Sequence, residues 1–269
     1  MNHFEKLHSY LPLDLSDPSQ FFFSFWVVLM IVNFRYFLVV GLFWFNFYCR
    51  TKERRKIYED LATTKSQLYE IKWSLMSSVI FSLVACLWGL ALQTGHTRIY
   101  FHFNTYSIWY WPLSLILLMI FHETYFYWTH RLLHITSFYK KFHSVHHASL
   151  KPSPWASFSF HPVESVINAL ALPLISLFLP MHPILILFHL TVMTLTAVTN
   201  HLGFEILPSN RMAKAVSKYV ISGVHHSEHH RYFKMNFGLF FTFWDRLCET
   251  ENESFSKHFD DVQKGIKLC

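Results

Sequence analysis

From Trp73 to Gln93 the chain runs for 21 residues without a charged side chain. Backbone placed in hydrocarbon must satisfy its own N–H and C=O groups, so a run of that length reads as a membrane-crossing helix. Three further stretches share its character: 21–48, interrupted by Asn33 and Arg35; 108–128, aromatic and apolar as far as Glu123; and 166–200, broken by Pro173, Pro180 and Pro183. The last is either two short crossings or a re-entrant hairpin turning at Leu179-Pro180-Met181-His182-Pro183. Arg35 marks a second hairpin turn or faces the bundle interior, because a charge at mid-membrane costs about 2.5–3.5 kcal/mol. With 52% of residues hydrophobic and 19% aromatic, the expected fold is an all-α, integral-membrane helical bundle of about four spans or hairpins.

Charge sets the orientation. Arg50, Lys52, Arg54, Arg55, Lys56, Lys65 and Lys72 crowd the loop between the first two stretches, whereas 94–107 carries only Arg98. By the positive-inside rule the basic loop is cytosolic, and residues from about 129 onward emerge on the same face. The net charge of +6 flanks apolar runs and forms no stripe, so it reads as topology and not as nucleic-acid binding. Cys49, Cys86, Cys248 and Cys269 have no paired spacing, which argues against a disulfide framework or a cysteine zinc site. The first 20 residues lack the basic start of a signal peptide, and Cys269 fits no prenylation box. The chain divides into N-terminal spans with the basic loop (1–107), a histidine-bearing region (108–250) and a polar, loosely held tail (251–269).

Of 19 histidines, 14 lie between His122 and His230. His130 and His134 stand at i and i+4; His143, His146 and His147 stand at i, i+3 and i+4; His226, His229 and His230 repeat that second pattern. On a helix each set shares one face. Converging at the cytosolic end of a bundle, the three sets offer eight nitrogens, too many for one tetrahedral zinc and suited to two metals. Imidazole serves zinc, copper, iron and nickel alike, so donor type does not name the metal. A polar or pH-sensitive interface would explain one such pair but not two identical H-x-x-H-H patterns.

These motifs, in this order on membrane helices, resemble the fatty acid hydroxylase/sterol desaturase superfamily, and the surrounding strings are most similar to its sterol C5-desaturase branch. The strings are Tyr127-Trp128-x-His130-Arg131, Tyr139-Lys140-Lys141-Phe142-His143, Pro152-x-Pro154-Trp155-Ala156, Phe160-His161-Pro162-x-Glu164, His225 to His230, and Asn236-x-Gly238-x-x-Phe241-Thr242-x-Trp244-Asp245-Arg246. They cover roughly 110–250. The resemblance implies a non-haem pair of iron ions (zinc being an alternative occupant) and O2 as co-substrate. It also implies a lipid substrate, sterol-like before fatty acid, sphingolipid or alkylglycerol, oxidised by desaturation or hydroxylation. No cytochrome b5-like domain accompanies it, so electrons come from a separate donor such as cytochrome b5, or a ferredoxin with its reductase. The location it implies is the endoplasmic reticulum in a eukaryote or the inner membrane in a bacterium.

Beyond the three sets, His201 follows the last apolar stretch where it returns to the clusters, and is taken as a ninth ligand. His161 and His225 are candidates for ligation or for a place just behind the ligands. His122, two turns before His130, is rotated off that face. Glu123, Glu164, Glu228 and Asp245 are the acceptors nearest in sequence for the outward ring nitrogens of metal-bound histidines. Trp244-Asp245-Arg246 reads as a latch in which Asp and Arg pair and Trp packs; Asn236 and Gly238 read as turn residues. His182 is expected in a far-side turn and His189 satisfied in the interior, while His258 lies outside the site. A zinc transporter or sensor is the alternative of another class, but transporters place ligands at mid-membrane. A zinc protease is excluded because His122-Glu123 lacks the second histidine of its signature.

Overall fold

The computed structural model describes residues 13–50 and 55–268. Helix α1, Pro18–Trp44, starts on Asp17, whose carboxylate accepts the N–H groups of Ser19 and Gln20, and continues through a π turn, Phe45–Arg50. It does not break at Arg35. Asn33 Nδ2 donates to the Leu29 carbonyl one turn back, and Arg35 lies half-buried in an unbroken helix, so the hairpin alternative falls. Phe22, Met30, Ile31 and Phe34 are exposed, as a lipid-facing surface requires.

Helix α2, Thr64–Gln93, carries a stripe of buried serines: Ser74, Ser77, Ser78 and Ser82. Small side chains let helices approach closely in a membrane, and their hydroxyls need partners there. Ser78 and Ser82 bond back to their own helix, Ser74 donates to the Trp155 carbonyl, and Ser165 donates to Ser77 at 2.9 Å. Helix α3 is Tyr110–Leu133. Short α4, Thr136–Phe138, passes through a π turn, Tyr139–His143, into α5, Ser144–His147.

The stretch 166–200 is a hairpin. Its first arm is α6, Pro162–Ala169, followed by α7, Ala171–Ser176; its second is α8, Pro183–Asn200, and the turn falls where the prolines place it. That turn meets the far loop: Arg98 N–H donates to the Ser176 carbonyl and Tyr100 N–H to that of Met181. Both outer ends of the hairpin therefore share the opposite face. The basic loop is on that face too, because Ile57 N–H donates to the carbonyl of Gly203, two residues after His201. Three helices, Pro18–Arg50, Thr64–Gln93 and Pro183–Asn200, are long and apolar enough to cross a membrane, and α3 spans about 36 Å at 24 residues.

The rest caps that face with α9, Arg211–Val216, α10, Gly223–Tyr232, α11, Phe243–Leu247, and α12, Phe255–Gln263. The expectation of a loosely held tail is corrected by α12. Phe255, Phe259 and Val262 bury against Ile57, Tyr58 and Val224, and each buried phenylalanine contributes about 1.5–3 kcal/mol. The sequence hides this because the apolar residues are few and widely spaced among charges. Among the described residues there are no strands, only three isolated bridges.

Candidate metal centre

The end of α3 supplies His130 and His134, the segment 139–147 supplies His143, His146 and His147, α8 ends on His201, and α10 supplies His226, His229 and His230. All nine converge. Two groups form: His130, His134, His143, His147 and His229; and His146, His201, His226 and His230, with the facing atoms of each group within 4.8 Å of one another. Eight of the nine are buried, and His134 is partly exposed.

Outward hydrogen bonds fix which nitrogen faces inward. His130 Nδ1–H donates to the Phe237 carbonyl at 2.8 Å, His146 to Ser159 at 3.2 Å, His201 to Ala197 at 2.7 Å and His229 to Met235 at 2.7 Å. A neutral ring that donates from Nδ1 has a bare lone pair at Nε2. In the four-histidine group, Nε2 of His201 lies 3.3 Å from that of His146 and 2.9 Å from that of His226, with His230 at 3.1 Å from His226. In the other group, Nε2 of His147 stands 3.2 Å from His134 and 3.1 Å from His229. Burial holds His143, His146, His147, His226, His229 and His230 well below the usual imidazole range, and holds His201 at about 4. Protons therefore do not neutralise the facing lone pairs. A cation held between them would, and the all-nitrogen donor set suits a first-row transition ion.

The other candidates divide. Glu164 Oε1 lies 2.9 Å from His143 Nδ1 but off the line of a hydrogen bond, so this carboxylate is beside a histidine without accepting its proton. Glu123 and Asp245 do not touch the histidines. Glu123 accepts the N–H groups of Leu239, Phe240 and Phe241; Asp245 accepts those of Phe237 and Gly238 and the Thr250 hydroxyl. Burial pushes the Asp245 carboxyl up to about 6. The expected Asp245–Arg246 pair is corrected: Arg246 bonds Glu251 at 3.0 Å, while Trp244 packs on Tyr127 and Trp128. Glu228 accepts from Asn236 and from His258, which lies outside both histidine groups, as expected, and braces α10 from behind.

Three of the candidate histidines, His161, His225 and His122, stay apart from both groups. His161 caps α6 through the Val163 N–H, and His225 stacks on Phe255 at 3.4 Å between ring centres. His122 meets His189 at 2.6 Å inside the bundle, tying α3 to α8. His182 caps α8 in the far turn.

Sequence reasoning places a turn at Asn236 and Gly238 but misses what the loop 235–241 does: its carbonyls take protons from His130, His229 and, through Leu239, Asn200. Its one visible signal is Gly238. A Cβ there would lie 2.5 Å from the Phe241 carbonyl and 3.0 Å from carboxylate oxygens of both Glu123 and Asp245.

Two cavities flank the histidines. A small one of about 40 Å³ is lined by histidines of both groups with Phe126, Leu133, Ala197, Leu239, Glu164 and Asn200. An open cleft of about 580 Å³ exposes His134 between Arg131 and Lys234.

The family description "Fatty acid hydroxylase" matches residues 115–250. The chain is 30% identical over 200 residues to a Delta(7)-sterol 5(6)-desaturase of Gibberella zeae, covering 74% of this chain and 60% of that one. It is 24% identical over 216 residues to a lathosterol oxidase of Homo sapiens, covering 77% and 71%. It is 26% identical over 257 residues to a Delta(7)-sterol 5(6)-desaturase of Schizosaccharomyces pombe, covering 95% and 75%. The chain thus spans three-fifths to three-quarters of the length of these relatives. No solved structure matches it.

Proposed function

The chain belongs to the fatty acid hydroxylase family, and from that premise we propose that it is a membrane-bound, di-iron, O2-dependent oxidoreductase that desaturates or hydroxylates a sterol-like lipid. One observation carries the reading: nine imidazoles meet in two groups, and four of the rings donate outward from Nδ1 and so turn a bare Nε2 inward. Sterol is favoured over other lipids because the relatives named above are a lathosterol oxidase and sterol desaturases. In desaturation the lipid gives up two hydrogens, and O2, two further electrons and two protons end as two waters.

His130, His134, His143, His147 and His229 would hold one iron, and His146, His201, His226 and His230 the other. Such a pair, when bound, supplies O2 activation and the oxidising power to attack an unactivated C–H bond. The chain's own residues do the rest. The carbonyls of Phe237, Ser159, Ala197 and Met235 keep four rings in the tautomer that ligates. Phe126, Leu133, Ala197 and Leu239 give the small cavity an apolar wall. Its volume suits water or a diatomic and not a ring system, so a lipid enters by displacing that wall. On the other side, Arg131 and Lys234 beside the exposed edge of His134 give a separate acidic electron donor a place to approach.

The test is direct. Detergent-extracted protein reloaded with Fe(II) is incubated with a Δ7-sterol, reductant and O2, and the sterols are weighed by mass spectrometry. Loss of two hydrogens marks desaturation and gain of one oxygen marks hydroxylation. Protein that binds two irons yet leaves sterols, fatty acids and glycerol ethers unchanged would sink the reading.

A further inference from the structure

The two buried carboxylates over the loop hold five successive backbone N–H groups between them, yet they are not equivalent. In a trans peptide the N–H and C=O point in opposite directions from one rigid plane, so gripping one end aims the other. Asp245 Oδ2 grips the Gly238 N–H at 2.9 Å, and the carbonyl of that same plane, Phe237, receives Nδ1–H of His130 at 2.8 Å. Asp245 Oδ1 holds the Phe237 N–H at 2.8 Å as well, fixing that residue from both sides. Glu123 grips the Phe240 N–H, and the carbonyl of that plane, Leu239, receives the Asn200 side chain at 3.2 Å instead of a metal-facing ring.

We propose that Asp245 is a positioning residue for the five-histidine group, acting through the Phe237–Gly238 peptide plane to set the tautomer and direction of His130, whereas Glu123 holds the same loop without steering a ligand of that group. Both are buried, at 1% and 0% exposure, so neither shares its N–H groups with water. The four-histidine group is anchored elsewhere: His146 gives its outward proton to Ser159 and His201 gives its own to Ala197 within α8. Disturbing the Phe237–Gly238 plane therefore strikes one group and spares the other.

The inference rests on the two-metal reading, and the experiment keeps the two apart. Wild type, Asp245→Asn and Glu123→Gln are loaded with Co(II), dialysed against a graded chelator series, and assayed for metal per chain, for Co(II) absorption and for Tm. Asparagine turns an N–H donor toward one of the two backbone N–H groups, so Asp245→Asn should lose one ion on the order of 10–100-fold more readily while the second is retained. Glu123→Gln, which disturbs a carboxylate holding three N–H groups, should lower Tm at least as much and keep both ions. If Asp245→Asn fails to fold, Thr250→Val, which removes a 2.8 Å hydrogen bond to Asp245, should show a smaller loss of the same single ion. Two ions held with wild-type affinity in the Asp245 or Thr250 variant would overturn the proposal. So would equal metal loss in Asp245→Asn and Glu123→Gln. A wild type that binds no transition ion would instead sink the two-metal reading itself.

Discussion

The Nε2 atoms of His146 and His201 stand 3.3 Å apart, and each ring has already given its Nδ1–H to a backbone carbonyl, Ser159 for one and Ala197 for the other. Neither can donate to its partner. Two facing lone pairs in a buried site repel, and a cation between them removes the repulsion. Replacing His201 with alanine should accordingly take one ion from the four-histidine group. Metal per chain should fall from two to one, and lipid oxidation by more than about 100-fold, beyond what losing a hydrogen-bond partner of a ligand costs. Metal analysis beside a turnover assay checks both, and a His201→Ala protein with two ions would remove that residue from the site.

The pH dependence of the metal-free protein follows from the same burial. His201 titrates at about 4 in the fold against 6.5 when free, so between those values the unfolded chain binds more protons than the folded one. Stability from this residue is complete above pH 6.5 and falls as pH drops, by about 1.4 kcal/mol per unit. His146, His226 and His230 are shifted the same way, so the losses add. Thermal unfolding of chelator-stripped protein should show Tm dropping steadily from pH 7 to pH 5, with the metal-loaded form holding its Tm further down. A flat profile in the stripped protein would contradict neutral, buried histidines.

The legible part of this chain is the part written in local periodicity. His130 and His134, or His226, His229 and His230, share a face because of helix geometry alone, and the Leu179–Pro183 turn is dictated by its prolines. What was hidden depends on contacts far apart in sequence. Glu123 reaches N–H groups more than a hundred residues away, so nothing beside it shows that it holds a loop and not a histidine. His258 looks isolated until α12 folds back onto Glu228. Arg35 allowed either a hairpin turn or an interior-facing side chain because mid-membrane charge is costly, and the turn is ruled out only by α1 running on unbroken with Arg35 half-buried.

Gly238 is the tightest point of the loop. An alanine methyl would lie 2.5 Å from the Phe241 carbonyl, which is backbone and cannot swing aside. Overpacking of this kind costs about 1–3 kcal/mol, and here it also spreads the carboxylates of Glu123 and Asp245. Gly238→Ala should lower Tm by several degrees and weaken metal retention. Wild-type values for both would mean that the loop yields more easily than its contacts imply.

His258 Nδ1 meets Glu228 Oε1 at 2.5 Å, and the Glu228 carboxylate is fully buried. Truncating the histidine leaves one carboxylate oxygen without that partner, at a cost of about 1–3 kcal/mol. Because α12 rests on this contact and on Phe255 and Phe259, His258→Ala should expose the C-terminal helix to limited proteolysis first. The metal content should remain at two, since Asn236 still holds Glu228 from the other side.

The arrangement of faces can be read from two cysteines. Cys49 is exposed in the π turn ending α1, and Cys248 is half-buried at the end of α11 beside the histidine face. The pairing of Ile57 with Gly203 puts the basic loop on the histidine side, and the positive-inside rule applied to the seven cations of 50–72 predicts that this side is cytosolic. In a Cys269→Ser background, a membrane-impermeant maleimide should label Cys49 and Cys248 in inside-out vesicles and neither in right-side-out ones. Cys86, buried within α2, should stay unlabelled in both. Labelling of Cys49 and Cys248 from opposite sides would separate the basic loop from the histidines, and an iron centre assembled at one cytosolic face would then be untenable.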